Sequence, residues 1–304
     1  MARILTDGAE RGDLTRIEIQ SVYISASSAQ KNTGSYSYAL INNNTIAGKI
    51  LPSTYAEFYL RFAYRMTSQV FTVRPCIWRN ASSTVGGSIY IASGAVLQTI
   101  YAYVGTGAVA SAVVVGGLSE WHVYEVHVKL DNPAGSIQVK YDGTLVIDYT
   151  GDTRSAITEM GQMCFAGHDT CYIDDIAVND TSGGVDDSWI GDGGVLAALV
   201  PAGVGTYSDL TASAGNAYQC VDEIPQNGDT DYIYSSTVGH KSTFAMSNLP
   251  ALLAGASIAR VWTEIVARET AAVGAKIATF IRSGATDVQG SDQVLTLAYG
   301  RFVE

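Results

Sequence analysis

Alternation restricts this chain more than any other feature. From Trp121 to Lys129, Tyr124, Val126 and Val128 fall on one face, while Glu125, His127 and Lys129 share the other with Trp121. That period-two pattern is the signature of a half-buried strand. It recurs at Glu57 to Met66, Val70 to Trp78, Ser88 to Ile91, Val96 to Val104, Ser136 to Tyr141, Leu145 to Tyr149 and Ile173 to Val178. Gly, Asn, Asp and Ser cluster between these runs, at Asn42 to Asn44, Gly86-Gly87, Gly116-Gly117 and Asp131 to Gly135, where turns need permissive backbone. The expectation is an all-β chain whose residues 1–182 form an antiparallel jelly-roll sandwich with no helical crossover.

One hairpin is predictable in detail. Ile137 and Val139 share a face, and a single core side requires Leu145 and Ile147 to join them. A two-residue Asp142-Gly143 turn throws Leu145 and Ile147 to the wrong side. A three-residue Tyr141-Asp142-Gly143 loop with Gly143 left-handed sets Val139 against Leu145 and Ile137 against Ile147.

Asn179 to Ser188 is almost entirely turn formers and acids, which marks a domain boundary. A second, smaller β-rich sandwich is expected over 189–304. Its strands are placed at Ala217 to Val221, Asp231 to Ser235, Ile258 to Arg268, Ala275 to Ser283 and Gln293 to Val303. Asn248 to Ala256, with Pro250 in the first turn, reads as one short helix.

Charge narrows the partners. Lys and Arg number 18 against 29 Asp and Glu, a formal charge of -11, so a phosphate backbone is repelled and nucleic acid is not an expected ligand. The apolar runs Ala108 to Val115 and Val195 to Val200 are far shorter than the roughly 18 residues of a membrane span. The start, Met1 to Asp7, lacks the apolar core of a secretory signal. The expectation is a soluble protein made in the cytoplasm.

Several segments resemble a family of tailed-bacteriophage virion proteins with a laminin-G-like or concanavalin-like jelly roll at the N-terminus. They are Ala2 to Glu10, Gly34 to Leu40, Glu57 to Arg65, Trp121 to Leu130, Gly135 to Asp148 and Ile173 to Asp180, then Leu199 to Ser208, Gln219 to Tyr234 and Ile281 to Gly284. The resemblance implies a virion structural protein, on the outside of the head as a decoration or minor capsid component or on the tail, made in the host cytoplasm. It implies capsid or tail proteins as partners and a homo-oligomer, with a trimer favoured. The family often continues beyond the equivalent of Glu304, which implies a second domain truncated at its C-terminus. The competing expectation is a carbohydrate-binding adsorption protein, a tail or head fibre reading host glycans, because one fold serves both ends.

No catalytic set is visible in the sequence. Glycosidases need paired carboxylates, and the Glu residues at 57, 120, 125, 159, 223 and 264 are isolated, so no enzymatic activity is expected. No cofactor is expected either. Calcium is the one ion weighed, with Asp174, Asp175 and Asp180 as oxygen ligands, against the objection that adjacent strand residues point to opposite faces. Asn227-Gly-Asp-Thr-Asp231 opens like a calcium loop but has Val238 where a bidentate Glu belongs. Cys76, Cys164, Cys171 and Cys220 read as buried free thiols, with Cys164 and Cys171 directly opposed if a two-residue turn joins their strands. Arg11-Gly12-Asp13 reads as a turn before a strand at Arg16 to Ile24. Among 18 tyrosines, Tyr36, Tyr38, Tyr55, Tyr59, Tyr90, Tyr101 and Tyr103 suit either half-buried strand positions or sugar stacking.

Overall fold

The structure is a computed structural model that describes residues 3–42, 45–68, 73–94, 96–184, 186–191, 197–249, 258 and 261–303. It divides into two compact units, Met1–Ala198 and Leu199–Glu304.

The first unit is an antiparallel jelly-roll sandwich. Its strands are β1 (Arg3–Asp7), β2 (Ile19–Gln20), β3 (Ile24–Ser27), β4 (Ser37–Ile41), β5 (Thr45–Tyr55), β6 (Glu57–Met66), β7 (Val73–Arg79) and β8 (Val85–Ser93). They continue as β9 (Leu97–Val104), β10 (Gly107–Val115), β11 (His122–Lys129), β12 (Gly135–Tyr141), β13 (Thr144–Gly151), β14 (Met160–Gly167) and β15 (Thr170–Asp180). Sheet one runs β13-β12-β11-β6-β15-β4-β3, with β1 also on β15, and sheet two runs β10-β9-β8-β7-β14-β5-β2.

Alternation decides which side chains meet between the sheets. Phe58, Leu60, Phe62 and Tyr64 of β6 and Tyr124, Val126 and Val128 of β11 face Trp78, Ile89, Ile100 and Phe165 of sheet two, all essentially inaccessible. Burying each large side chain contributes about 1.5 to 3 kcal/mol. Phe62 joins the layers: its ring stacks on Tyr124 at 5.3 Å and meets Phe165 edge-on at 5.6 Å. A charged cluster sits inside this apolar layer. Lys49 Nζ lies 3.2 Å from Asp7 Oδ2, and the Tyr38 hydroxyl donates to the same carboxylate at 2.9 Å, so three polar groups satisfy one another away from water.

The hairpin differs from the expectation. Asp142 and Gly143 both have positive φ, +46° and +78°, and Tyr141 pairs directly with Thr144, so the loop has two residues. The register is recovered by a bulge instead: Lys140 pairs with Leu145 and Val139 with Ile147. Val146 is the extra residue, so Leu145 is 46% exposed while Ile147 is 3% exposed. A bulge inserts the one residue that returns the strand to its core face. The Cys164–Cys171 juxtaposition also fails, because β14 and β15 lie in different sheets. All four cysteines are buried and free. Arg11 to Asp13 forms the expected turn, closed by the Gly12 N–H on the Ala9 carbonyl at 2.8 Å, but only Ile19–Gln20 of the strand expected after it forms before Ile24.

The second unit is also β, in five two-stranded ribbons: Pro201–Ser208 with Ser242–Met246, Thr211–Ala212 with Ile233–Tyr234, Glu264–Ala267 with Gly300–Val303, Lys276–Ile277 with Gln293–Val294, and Phe280–Ser283 with Thr286–Gln289. The strand expected at Ala217 to Val221 is a 3₁₀ turn, Ala217–Cys220, started by an Asn216–Gln219 capping box, because Asn before a short run favours helix entry. The helix expected over 248–256 falls mostly outside the described residues. No helix among the described residues is long and apolar enough to cross a membrane.

Candidate functional site: a tyrosine face on sheet two

Pairing register builds the site. Tyr90 of β8 stands opposite Tyr101 of β9, and Ser88 stands opposite Tyr103. Their neighbours Ile89, Ile91, Ile100 and Ala102 fill the core, so Tyr90, Tyr101 and Tyr103 all point outward, half-buried. The Tyr90 and Tyr103 rings lie 4.2 Å apart at 40°, and Tyr101 meets Tyr103 edge-on at 6.4 Å. Arg74 of β7, exposed, holds its guanidinium carbon 4.6 Å from the Tyr90 centroid. Arg79 lies on the same face, opposite Gln162, and its Nε makes no hydrogen bond. A row of rings with the Arg74 guanidinium over one of them offers stacking surface and directional donors together.

The outward face of sheet one is organised differently. His127 stacks on Tyr59 at 4.2 Å and 9°, its Nε2 meets Glu57 Oε1 at 2.9 Å, and its Nδ1 meets Gln138 Oε1 at 3.0 Å. Gln138 passes a hydrogen bond on to Asp148 at 2.9 Å. Both ring nitrogens are therefore occupied within the protein. The chain after β15 then folds back over this face. Trp189 packs edge-on against Tyr59 at 5.3 Å with Lys140 Nζ 4.1 Å above its ring. Gly191 donates to Glu125 at 2.7 Å and accepts from Arg61 Nε at 2.9 Å. The Tyr59–His127 part of sheet one is thus covered by its own chain, while elsewhere on that sheet half-buried Tyr172 has the Arg65 guanidinium carbon 5.9 Å from its ring centroid; sheet two brings three half-buried rings together. An open groove of about 600 Å³ at the strand ends, lined by Asn80, Asn132, Arg154 and Glu159 among others, contains no aromatic ring.

The candidate calcium ligands Asp174, Asp175 and Asp180 are not gathered as a set. β15 carries an irregularity between Asp174 and Ala177, and Asp175 has φ +49°. The adjacent carboxylates therefore reach the same loop rather than opposite faces, which corrects the alternation argument. Asp174 Oδ2 accepts from the Asn32 N–H at 2.8 Å, and Asp175 accepts from the Asn32 side-chain amide at 2.8 Å and from the Thr33 hydroxyl. Asp180 is elsewhere, closing a turn on Ser182. Glu10, unremarked in the sequence, joins the pair through the same loop by accepting from the Ser35 N–H at 2.7 Å. Burial and then the Asp175 charge push the Asp174 carboxyl up to about 9, and burial pushes Glu10 up to about 7. Asp229 of the second candidate loop is held by Arg268 at 3.0 Å and by Tyr299. Among the described residues, no group of three or more His, Cys, Asp or Glu is arranged to hold a metal ion.

A scan against protein-family models finds no match, and no curated protein matches the chain. Solved structures do match. A fungal endo-β-1,4-glucuronan lyase from Trichoderma reesei superposes with TM-score 0.44 at 13% identity, covering 59% of this chain and 96% of its own. A cellulose-induced protein gives 0.46 at 15%, covering 62% and 99%, and an alginate lyase gives 0.39 at 14%, covering 59% and 96%. None of these three is named as a virion component, so the phage role rests on the sequence resemblance alone. Two of these structures are of lyases, against the expectation of no enzymatic activity, and at these identities the likeness is one of fold. A missing hydrolytic carboxyl pair excludes one chemistry only, since His, Tyr, Lys and Arg side chains also serve as acids, bases or charge-neutralising groups.

Proposed function

We propose that the first unit binds carbohydrate on the outward face of sheet two. Tyr90, Tyr101 and Tyr103 supply the platform, against which the C–H face of a pyranose ring stacks. Arg74 and Arg79 supply donors for hydroxyl or carboxylate substituents, and because both are cationic the favoured glycans carry uronic or other acidic sugars. One observation carries the reading: three half-buried rings converge on the outward face of sheet two with the Arg74 guanidinium over one of them, while on sheet one Trp189 and Gly191 cover the Tyr59–His127 part. Virion attachment is compatible with such a surface as a means of adsorption.

The test is affinity electrophoresis of the full chain through gels containing neutral and acidic polysaccharides. Retardation by at least one acidic polymer, reduced tenfold or more by Tyr101→Ala, supports the reading. Unretarded migration in every gel sinks it.

A further inference from the structure

The described residues of the second unit hold little of the buried apolar surface that a unit of its size needs. Among the described residues, Cys220 is the one buried hydrophobic residue of 199–304, and all the others precede residue 199. Exposed large hydrophobics show the reverse: fourteen lie in the second unit and nine in the first, which is almost twice as long. Val238 is 101% exposed, Val273 76%, Val204 69% and Val288 66%. The ribbons do not compensate, because each described strand has a single partner and an isolated two-stranded ribbon is at best marginally stable in water.

Several side-chain contacts described within the unit are polar and lie near its surface. Lys241 lies 3.7 Å above the Tyr207 ring, with Arg282 at 5.1 Å and paired to Asp287. Arg268 sits 5.0 Å over Tyr299, and both engage Asp229. Surface pairs of this kind contribute little against the entropy of ordering the chain.

We infer that further copies of this same chain complete the core of the second unit, so that it is an assembly module that orders as a homo-oligomer. Three features favour a like copy over a different partner. Each ribbon leaves open hydrogen-bonding edges, and an identical ribbon presents edges of matching length and register. Apolar pairs such as Ile281 opposite Val288 stand outward on one ribbon face, and a rotational symmetry axis sets equivalent faces together without leaving one unpaired. Finally, covering the fourteen side chains removes on the order of 1,000 Å² per copy from water, above the roughly 800 Å² per partner of a standard specific interface.

The experiment is hydrogen exchange read by mass spectrometry on the full chain over a hundredfold range of concentration, with light scattering for mass. Expected is a defined oligomer whose second-unit amides gain protection as concentration rises, while β6, β11 and β14 exchange at a constant slow rate. The doubly substituted Ile281→Asp, Val288→Asp chain should be monomeric at every concentration, with the second unit unprotected and those three strands unchanged. A monomer with a protected second unit overturns the inference, because the unit is then complete alone. A monomer unprotected at all concentrations also overturns it, because a different molecule must then supply the cover. A substituted chain that keeps the wild-type mass removes the assigned face.

Discussion

The guanidinium of Arg74 lies over the ring of Tyr90, 4.6 Å from its centroid, and Tyr90 in turn packs against Tyr103. The cation and the aromatic platform are thus one structure, although Arg74 is exposed and contributes little to stability there. Arg74→Ala should leave the melting temperature within about 2 °C, as expected of an exposed side chain. It should lower affinity for acidic glycans several-fold more than for neutral ones in calorimetric titrations. Equal losses for both classes would assign Arg74 to packing the ring rather than to reading charge.

Asp7 and Lys49 form the most buried ion pair described, with side chains 3% and 4% exposed. Removing one partner leaves the other charge uncompensated in the core, so Lys49→Met should cost about 3 to 5 kcal/mol. Asp7→Asn with Lys49→Met should cost clearly less than the sum of the single changes, since Tyr38 keeps an acceptor. Urea unfolding of the three variants measures this, and additive losses would contradict the coupling.

Glu10 and Asp174 give a pH dependence of known sign. Burial raises both above their ordinary values, Glu10 from 4.5 to about 7 and Asp174 from 3.8 to about 9. Between the unfolded and folded values the native state holds a proton that the unfolded chain has released, so stability falls as pH rises through that window. In chelator-containing buffer, unfolding free energy should decline from about pH 4.5 to 7, with a shallower decline toward 9, the upper limits following these folded values. Glu10→Gln should flatten the lower part. A wild-type profile that rises over the same interval would contradict the placement of these acids.

The β12–β13 register is testable by a contrast of neighbours. Leu145→Thr should change stability by less than about 0.5 kcal/mol because the side chain faces water, whereas Ile147→Ala should cost about 2 to 4 kcal/mol. Comparable losses at both positions would restore the three-residue loop.

These cases show what a period-two pattern carries and what it omits. The inward sets of β6 and β11 are legible because each strand alternates without interruption, whereas Tyr90, Tyr101 and Tyr103 stand in the sequence only among seven candidate tyrosines, because the register that sets Tyr90 opposite Tyr101 lies in no single strand's pattern. Bulges erase the signal: the extra residue at Val146 reverses the face assigned to Leu145, and the irregularity at Asp175 turns two neighbouring acids to one loop. Glu10 was unreadable for another reason, since its association with Asp174 spans the whole sandwich and leaves no local spacing. Strand lengths in the second unit were overestimated where Ala275 to Ser283 and Gln293 to Val303 each break into two short strands. Alternation there is real, but among the described residues of the unit little apolar surface is buried to reward it.

The central claim concerns where a sugar sits, and mapping amide signals of the 1–304 chain by NMR during titration with an acidic oligosaccharide tests it most directly. The account predicts shifts concentrated at Arg74, Ser88 to Tyr90 and Tyr101 to Tyr103, saturable and lost in a Tyr90→Ala, Tyr101→Ala chain that keeps its melting temperature. Shifts confined to the groove at Asn80, Asn132 and Arg154, or to the strap at Trp189, with the tyrosine face unmoved, would contradict it.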